Sequence, residues 1–243
     1  MEKIISYENL RKFTYSNDKS IKGEIKGIVM CFSGLGGTAI YDSDPPDALD
    51  FAEKGIIYLI PYYNPWCWMN RQTVRYVDEI LDVLCEKYHL NRDTVKTVST
   101  GLSMGGLCAL VYCAYAKIPP CACVTNCPVC DLPYHFSERP DLPRTLYSAF
   151  GEYEGTMEAA LQSASPLHLV EKMPKIPYTV FHCEQDKAVN LEKHSGRFVA
   201  EMKKAHQITL RTIPLCGHCD LSAEMAAEYN RTILRALFLE RFL

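Results

Sequence analysis

Ser103 stands in Gly101-Leu-Ser-Met-Gly-Gly106, with glycines two residues before and two after it. A serine hydroxyl attacks an acyl carbonyl only when a base takes its proton, and the base needs an acid to orient it. Seven histidines are available as the base. His218, in Pro214-Leu-Cys-Gly-His-Cys-Asp220, follows an apolar strand-like run and precedes a C-terminal helical segment. A loop there carries an imidazole to the end of a strand. His89, His135, His168, His194 and His206 fall in helical segments or in an insertion and read as surface or structural residues. His182 lies inside a strand and reads as a packed neighbour of the site. For the acid, Phe181-His-Cys-Glu-Gln-Asp-Lys-Ala-Val189 puts Asp186 just past a strand, between nucleophile and base in the order Ser, acid, His. Its competing reading is a helix N-cap. Glu184 and Asp220 are rivals for the acid role. Glu184 is one residue beyond the strand, where the pleat still directs its side chain. Asp220 is two residues from His218 and placed to cap the helix that follows.

Acyl transfer also needs donors for the developing oxyanion. The N–H of Met104, right after the nucleophile, is one. The second is expected after the third strand of the sheet, in Cys31-Phe-Ser-Gly-Leu-Gly-Gly-Thr38, from the N–H of Leu35. Gly34 lets the backbone approach the substrate there. A phosphate loop is excluded because no G-K-[ST] follows and the spacing is not G-x-G-x-x-G.

These residues meet only if a scaffold brings them together. Apolar, β-rich runs at 26–32, 55–61, 94–100, 121–126, 178–183 and 208–214 read as strands. Their near-continuous apolar character suits strands covered on both faces. Helical periodicity marks 70–89, 104–116, 191–205 and 222–242. The alternation predicts an α/β fold with a mostly parallel sheet of about eight strands and helices on both faces. The first 25 residues supply one or two antiparallel edge strands. Six prolines within 131–177 mark a small lid-like insertion of one or two helices at one edge of the sheet. Gly101, Ser103 and Gly105 thus lie between a strand and a helix. The glycines remove the collisions that a sharp strand-to-helix turn would otherwise create.

The chain of 243 residues reads as a single domain, 1–243. Its net charge of −3, with no basic cluster, argues against nucleic acid and anionic membranes as partners. No apolar run is long enough to span a bilayer, and the N-terminus has no signal core. Most of the 12 cysteines sit among apolar neighbours, where free cysteine acts as a small hydrophobe. A reduced, cytoplasmic protein is expected.

The chain resembles the α/β-hydrolase superfamily over roughly residues 26–243. Gly101-Leu-Ser-Met-Gly-Gly106, Ser165-Pro166 and His182-Cys-Glu-Gln-Asp186-Lys-Ala-Val189 are similar to the catalytic domain of prolyl-oligopeptidase-type hydrolases and small bacterial carbohydrate and feruloyl esterases. Two positions depart from that pattern: Cys183 replaces a glycine, and Ser33-Gly34 replaces His-Gly. The resemblance implies an α/β-hydrolase fold and a serine esterase acting on small esters, such as acyl groups on sugars or plant phenolics. It also points to Asp186 as the acid.

Cys216-Gly-His-Cys219 matches a disulfide-isomerase dithiol, but too few residues follow it to complete a thioredoxin fold. Cys127-Pro-Val-Cys130 together with Cys216 and Cys219 could hold zinc, but their strands are not expected to be adjacent. Pro61-Tyr-Tyr-Asn-Pro-Trp-Cys-Trp68 reads either as a substrate wall through Trp66 and Trp68 or as a loop packed on the insertion. The sequence therefore predicts ester hydrolysis by Ser103, Asp186 and His218, with Leu35 and Met104 forming the oxyanion hole. The partner is a small ester, and no metal or organic cofactor is called for. An acyltransferase, a small-peptide peptidase on the same residues, or a catalytically silent binding protein on the same fold remain as alternatives. The oligomeric state is open.

Overall fold

The structure, a computed structural model, describes residues 4–238. Its scaffold is a seven-stranded sheet in the order β1-β3-β2-β4-β5-β6-β7. The strands are β1 (Thr14–Ser16), β2 (Gly27–Phe32), β3 (Ile56–Pro61), β4 (Thr97–Leu102), β5 (Ala122–Asn126), β6 (Tyr178–Cys183) and β7 (Ile208–Ile213). All neighbours run parallel except β1 on β3, so the N-terminal segment contributes one antiparallel edge strand. About eight strands were expected; seven lie among the described residues.

Strand alternation divides the core between the two faces. Ile28, Met30 and Phe32 of β2 point to one side, and Val29 to the other. The first side is covered by α2 (Arg71–Lys87), α3 (Met104–Tyr115) and α7 (Arg197–Met202). The second is covered by α1 (Pro46–Glu53) and α8 (Ala223–Phe238). α3 is buried from Met104 to Cys113 because it lies over the middle of the sheet, and apolar residues surround its whole circumference. On the far side, the Tyr229 hydroxyl of α8 donates to the Val124 carbonyl at 2.9 Å and also contacts Thr100 and Gly101. It thereby ties α8 to the strand that leads into the nucleophile turn.

Residues 131–177 depart from expectation in number and place. They form three helices, α4 (Leu132–Glu138), α5 (Leu142–Phe150) and α6 (Met157–Ser163), followed by two 3-10 turns. Pro133, Pro143 and Pro166 sit in the first turns of α4, α5 and a 3-10 turn, so they start helices and do not break them. The segment also lies away from the sheet edges, because it joins β5 to β6, both interior strands. Its apolar residues merge with the cluster of α2 and α3. The helix expected over 191–205 opens as a π-turn, Glu192–Gly196, before α7. The last residues of the helix expected over 222–242 fall outside the described residues. No helix among the described residues is long and apolar enough to cross a membrane.

Candidate active site

Ser103 links β4 to α3 with φ 57° and ψ −121°. A non-glycine residue rarely adopts this conformation, and it costs on the order of 1–3 kcal/mol. Three backbone hydrogen bonds hold it there. Its N–H donates to the Asn126 carbonyl at 3.0 Å, and its own carbonyl accepts from Leu107 and Val129 at 3.1 and 3.3 Å. The flanking glycines are sterically required. A Cβ on Gly101 would lie 2.3 Å from the Gly105 carbonyl oxygen, and one on Gly105 would lie 2.0 Å from that of Phe32. The hydroxyl does not cap α3, so it is not committed to the helix.

The loop after β2 sits against this turn: a Cβ on Gly34 would be 4.0 Å from the Ser103 Cβ. Three hydrogen bonds fix the loop. The Tyr63 hydroxyl donates to the Ser33 carbonyl at 3.0 Å, Gly36 N–H to Pro65 at 3.1 Å, and Gly37 N–H to Gly34 at 3.0 Å. The N–H groups of Leu35 and Met104 have no backbone acceptor among the described residues. Tyr63 escaped the sequence reading; a tyrosine hydroxyl aimed at a backbone carbonyl leaves no sequence signal.

Asp186 and His218 come from loops after the adjacent strands β6 and β7, and Asp186 Oδ2 lies 2.6 Å from His218 Nδ1. The other carboxylate oxygen accepts from the N–H groups of Ala188 and Val189 at 2.8 and 2.9 Å. The capping and orienting readings of Asp186 are therefore both realised, one oxygen each. His182 lies behind it, fully buried, with Nε2 3.5 Å from Asp186 Oδ2. Glu184 is exposed. Asp220 is also exposed and does not cap α8; the Ser222 hydroxyl accepts from Met225 N–H instead.

Burial raises the cost of charging both partners, yet their contact outweighs it. The Asp186 carboxyl titrates below its usual range because of His218 and the two N–H donors. Burial pulls His218 down, but Asp186 and the neighbouring Cys127 push it up to about 9. Cys127 itself is held as a thiol, since Cys219 and burial push its pKa up. Asp186 is then the group that sustains the imidazolium.

Among the described residues no hydrogen bond joins the Ser103 hydroxyl to His218. The imidazole Nε2 instead lies 3.7 Å from Cys219 Sγ, and Cys127 Sγ completes the group. Cys219 Sγ contacts the Asn126 carbonyl at 3.7 Å, the same oxygen that accepts the Ser103 N–H. β6 does separate β5 from β7, as expected, yet one cysteine from each motif meets its counterpart. None of the twelve cysteines is in a disulfide.

Trp66 is 41% exposed, on the loop whose Pro65 carbonyl holds Gly36. Trp68 has no exposed surface, and its indole N–H donates to the Thr145 hydroxyl of α5 at 3.0 Å. The expectation of Trp68 as a substrate wall gives way to the packing reading, because the insertion covers that ring. A cavity of about 690 Å³ between the start of α2 and α5–α6 includes none of Ser103, Asp186 and His218 in its walls. His135 and His194 are buried and share Glu138 Oε2 at 2.7 and 3.0 Å, joining α4 to the π-turn.

No protein-family profile matches the chain, and no curated protein sequence does either. Solved structures do. The acylaminoacyl peptidase of Pyrococcus horikoshii is 15% identical with a TM-score of 0.71, over 95% of this chain and 40% of the peptidase. An S-formylglutathione hydrolase from Agrobacterium tumefaciens is 18% identical with a TM-score of 0.67, over 92% of this chain and 93% of the other. Esterase B from Lactobacillus rhamnosis is 15% identical with a TM-score of 0.67, over 89% and 76%. The chain thus spans two fifths of the length of the peptidase. At such identities the likeness speaks for architecture: this chain has the α/β-hydrolase fold.

Proposed function

We propose that the protein is a serine hydrolase of small carboxylic esters, acting through an acyl-enzyme. One observation carries the reading: Asp186 and His218 pair at 2.6 Å above the sheet end where Ser103 is held at φ 57°. In this reading the imidazole turns about its bond to Asp186 and brings Nε2 from the thiols to Ser103. The Nδ1–H stays on the carboxylate, which leaves Nε2 as the basic nitrogen. Ser103 Oγ attacks the ester carbonyl while Nε2 takes its proton. The N–H groups of Met104 and Leu35 stabilise the oxyanion. The imidazolium then protonates the leaving alcohol, and a water activated by the same nitrogen releases the acid.

Trp66 and Leu102, 41% and 40% exposed, support an apolar or aryl portion of the substrate beside the nucleophile. Feruloylated or acetylated sugars are the substrates of first choice. The free cysteines fit a reducing, cytoplasmic setting. The test is labelling by a fluorophosphonate probe, followed by a panel of p-nitrophenyl esters and acylated sugars. Wild-type protein should be labelled and active, and Ser103→Ala should be neither. A Ser103→Ala variant that still hydrolyses esters at the wild-type rate sinks the reading. Transfer to an alcohol or cleavage of a small peptide would engage the same atoms, and product analysis separates the three.

A further inference from the structure

We propose that Cys127, Cys219 and His218 form an inhibitory site for a soft divalent ion of the zinc type, bound through two thiolates and imidazole Nε2. The inference rests on the reading of His218 as the catalytic base. Cys127 lies just past β5 and Cys219 in the loop after β7, so two distant segments deliver the thiols to one imidazole. The ligand atoms lie within 4.8 Å of one another, and Cys219 Sγ flanks the ring, 3.7 Å from Nε2 and 3.9 Å from Nδ1. Tetrahedral zinc, with Zn–S near 2.3 Å and Zn–N near 2.0–2.1 Å, needs ligand atoms about 3.5–3.8 Å apart. The Cys219 Sγ to Nε2 distance already matches that spacing, and a turn of the imidazole about its bond to Asp186 would point the Nε2 lone pair between the sulfurs.

The tautomer is also right. Asp186 accepts the Nδ1–H at 2.6 Å, so Nε2 is the nitrogen that offers a lone pair once the imidazolium gives up its proton. A carboxylate behind a ligating histidine is the arrangement that orients imidazole towards zinc and raises its basicity. The buried cluster of His135, Glu138 and His194 shows the contrast. There His194 Nδ1 accepts two backbone N–H bonds, from Cys130 and Asp131, so its proton sits on Nε2 and points at Glu138. That ring has no lone pair to give.

One Nε2 lone pair cannot serve both roles. It either accepts the Ser103 proton or ligates the ion, so a bound ion stops turnover without touching the serine. Binding changes no oxidation state. Each thiol releases one proton to solvent, the imidazolium gives up its Nε2 proton, and the two thiolates neutralise the ion's charge.

The test is titration of reduced, metal-free protein with zinc, read by ester hydrolysis, and with cadmium, read by ultraviolet thiolate-to-cadmium absorption. Wild-type protein should lose activity with zinc and regain it with a chelator. The Cys127→Ser/Cys219→Ser variant should keep metal-free activity within a few-fold. It should need at least about a hundredfold more zinc for inhibition, since loss of a supporting residue alone costs roughly 10–100-fold in affinity. Its cadmium absorption should be lower by two thiolates. Should the double variant fold poorly, Cys219→Ser, which replaces a partly exposed side chain, carries the same comparison. Equal zinc sensitivity and equal cadmium absorption in wild type and variant overturn the site. If metal-free wild-type protein hydrolyses no ester, the functional reading fails instead, and the cadmium difference still decides the site.

Discussion

Gly105→Ala puts the nucleophile turn under a measurable load. The added Cβ would lie 2.0 Å from the Phe32 carbonyl oxygen, 2.7 Å from its carbon and 2.9 Å from the Ser33 carbonyl oxygen. All three are backbone atoms, so no rotamer relieves the clash. Ordinary contact begins at 3.4 Å, and closing the gap from 2.0 Å requires a displacement of about 1.4 Å. That shift separates the start of α3 from the end of β2. The first carries Ser103 and the Met104 N–H, and the second leads into Gly34 and Leu35. Overpacking of this kind costs about 3 kcal/mol. In a chain of this size the melting point should fall by roughly 6–12 °C. A misplacement of about 1 Å between reacting groups costs about a hundredfold in rate. Turnover of a p-nitrophenyl ester, measured well below the lowered melting point, should therefore drop by about that factor or more. Gly23→Ala is the control, because its Cβ meets nothing within 4 Å. A Gly105→Ala protein that melts and turns over like wild type would refute both the packing argument and the dependence of activity on this contact.

Ser103→Ala should abolish probe labelling and lower turnover by several orders of magnitude while the circular-dichroism melt stays near wild type. Asp186→Asn should cost roughly three to four orders of magnitude in turnover, because the amide favours the wrong imidazole tautomer. In wild type, kcat/KM should rise with pH as His218 loses its proton, along a limb displaced above 6.5 towards about 9. Removing the Asp186 charge should move any residual limb downward. The sign for stability is the reverse. A raised histidine pKa contributes stability that is full below about 6.5 and lost as pH rises through about 9, which melts across that range will show. Ser222→Ala should cost about 1 kcal/mol in urea unfolding as a lost cap, whereas Asp220→Asn should stay within about 0.5 kcal/mol.

The strands were legible because each is an apolar run closed by a turn, and Tyr178–Cys183 matches its predicted span. The placement of Ser103, Asp186 and His218 at strand ends, and the pairing of the last two, was legible because each follows a readable apolar strand run. The insertion was not. Its prolines marked an insertion without giving the number of its helices; Pro133 and Pro143 occupy helix first turns, where a missing N–H costs nothing. Its resting place depends on which apolar faces find each other across the sheet, and no local pattern encodes that. Asp220 misled for a related reason: a carboxylate two residues before a serine competes for the same cap, and backbone geometry decided for Ser222. The meeting of Cys127 with Cys219 lies further from reach. It depends on how two loops curl over β6, the strand between them.

The insertion is pinned along its length. Asp131 binds Arg197 at 2.7 Å, Glu138 binds His194, Thr145 holds Trp68, and the Ser163 carbonyl accepts from Tyr115. A segment stitched to the core at such intervals does not behave as a flap. Its buried amides belong to the same cooperative unit as α2 and α3, and their deuterium exchange proceeds through unfolding of that unit. On the proposed function, contact with substrate then falls to shorter pieces of chain, such as the turn bearing the half-exposed Trp66. Selectivity in such an arrangement is tuned by changing a few side chains on a rigid frame, with no need to redesign a hinge.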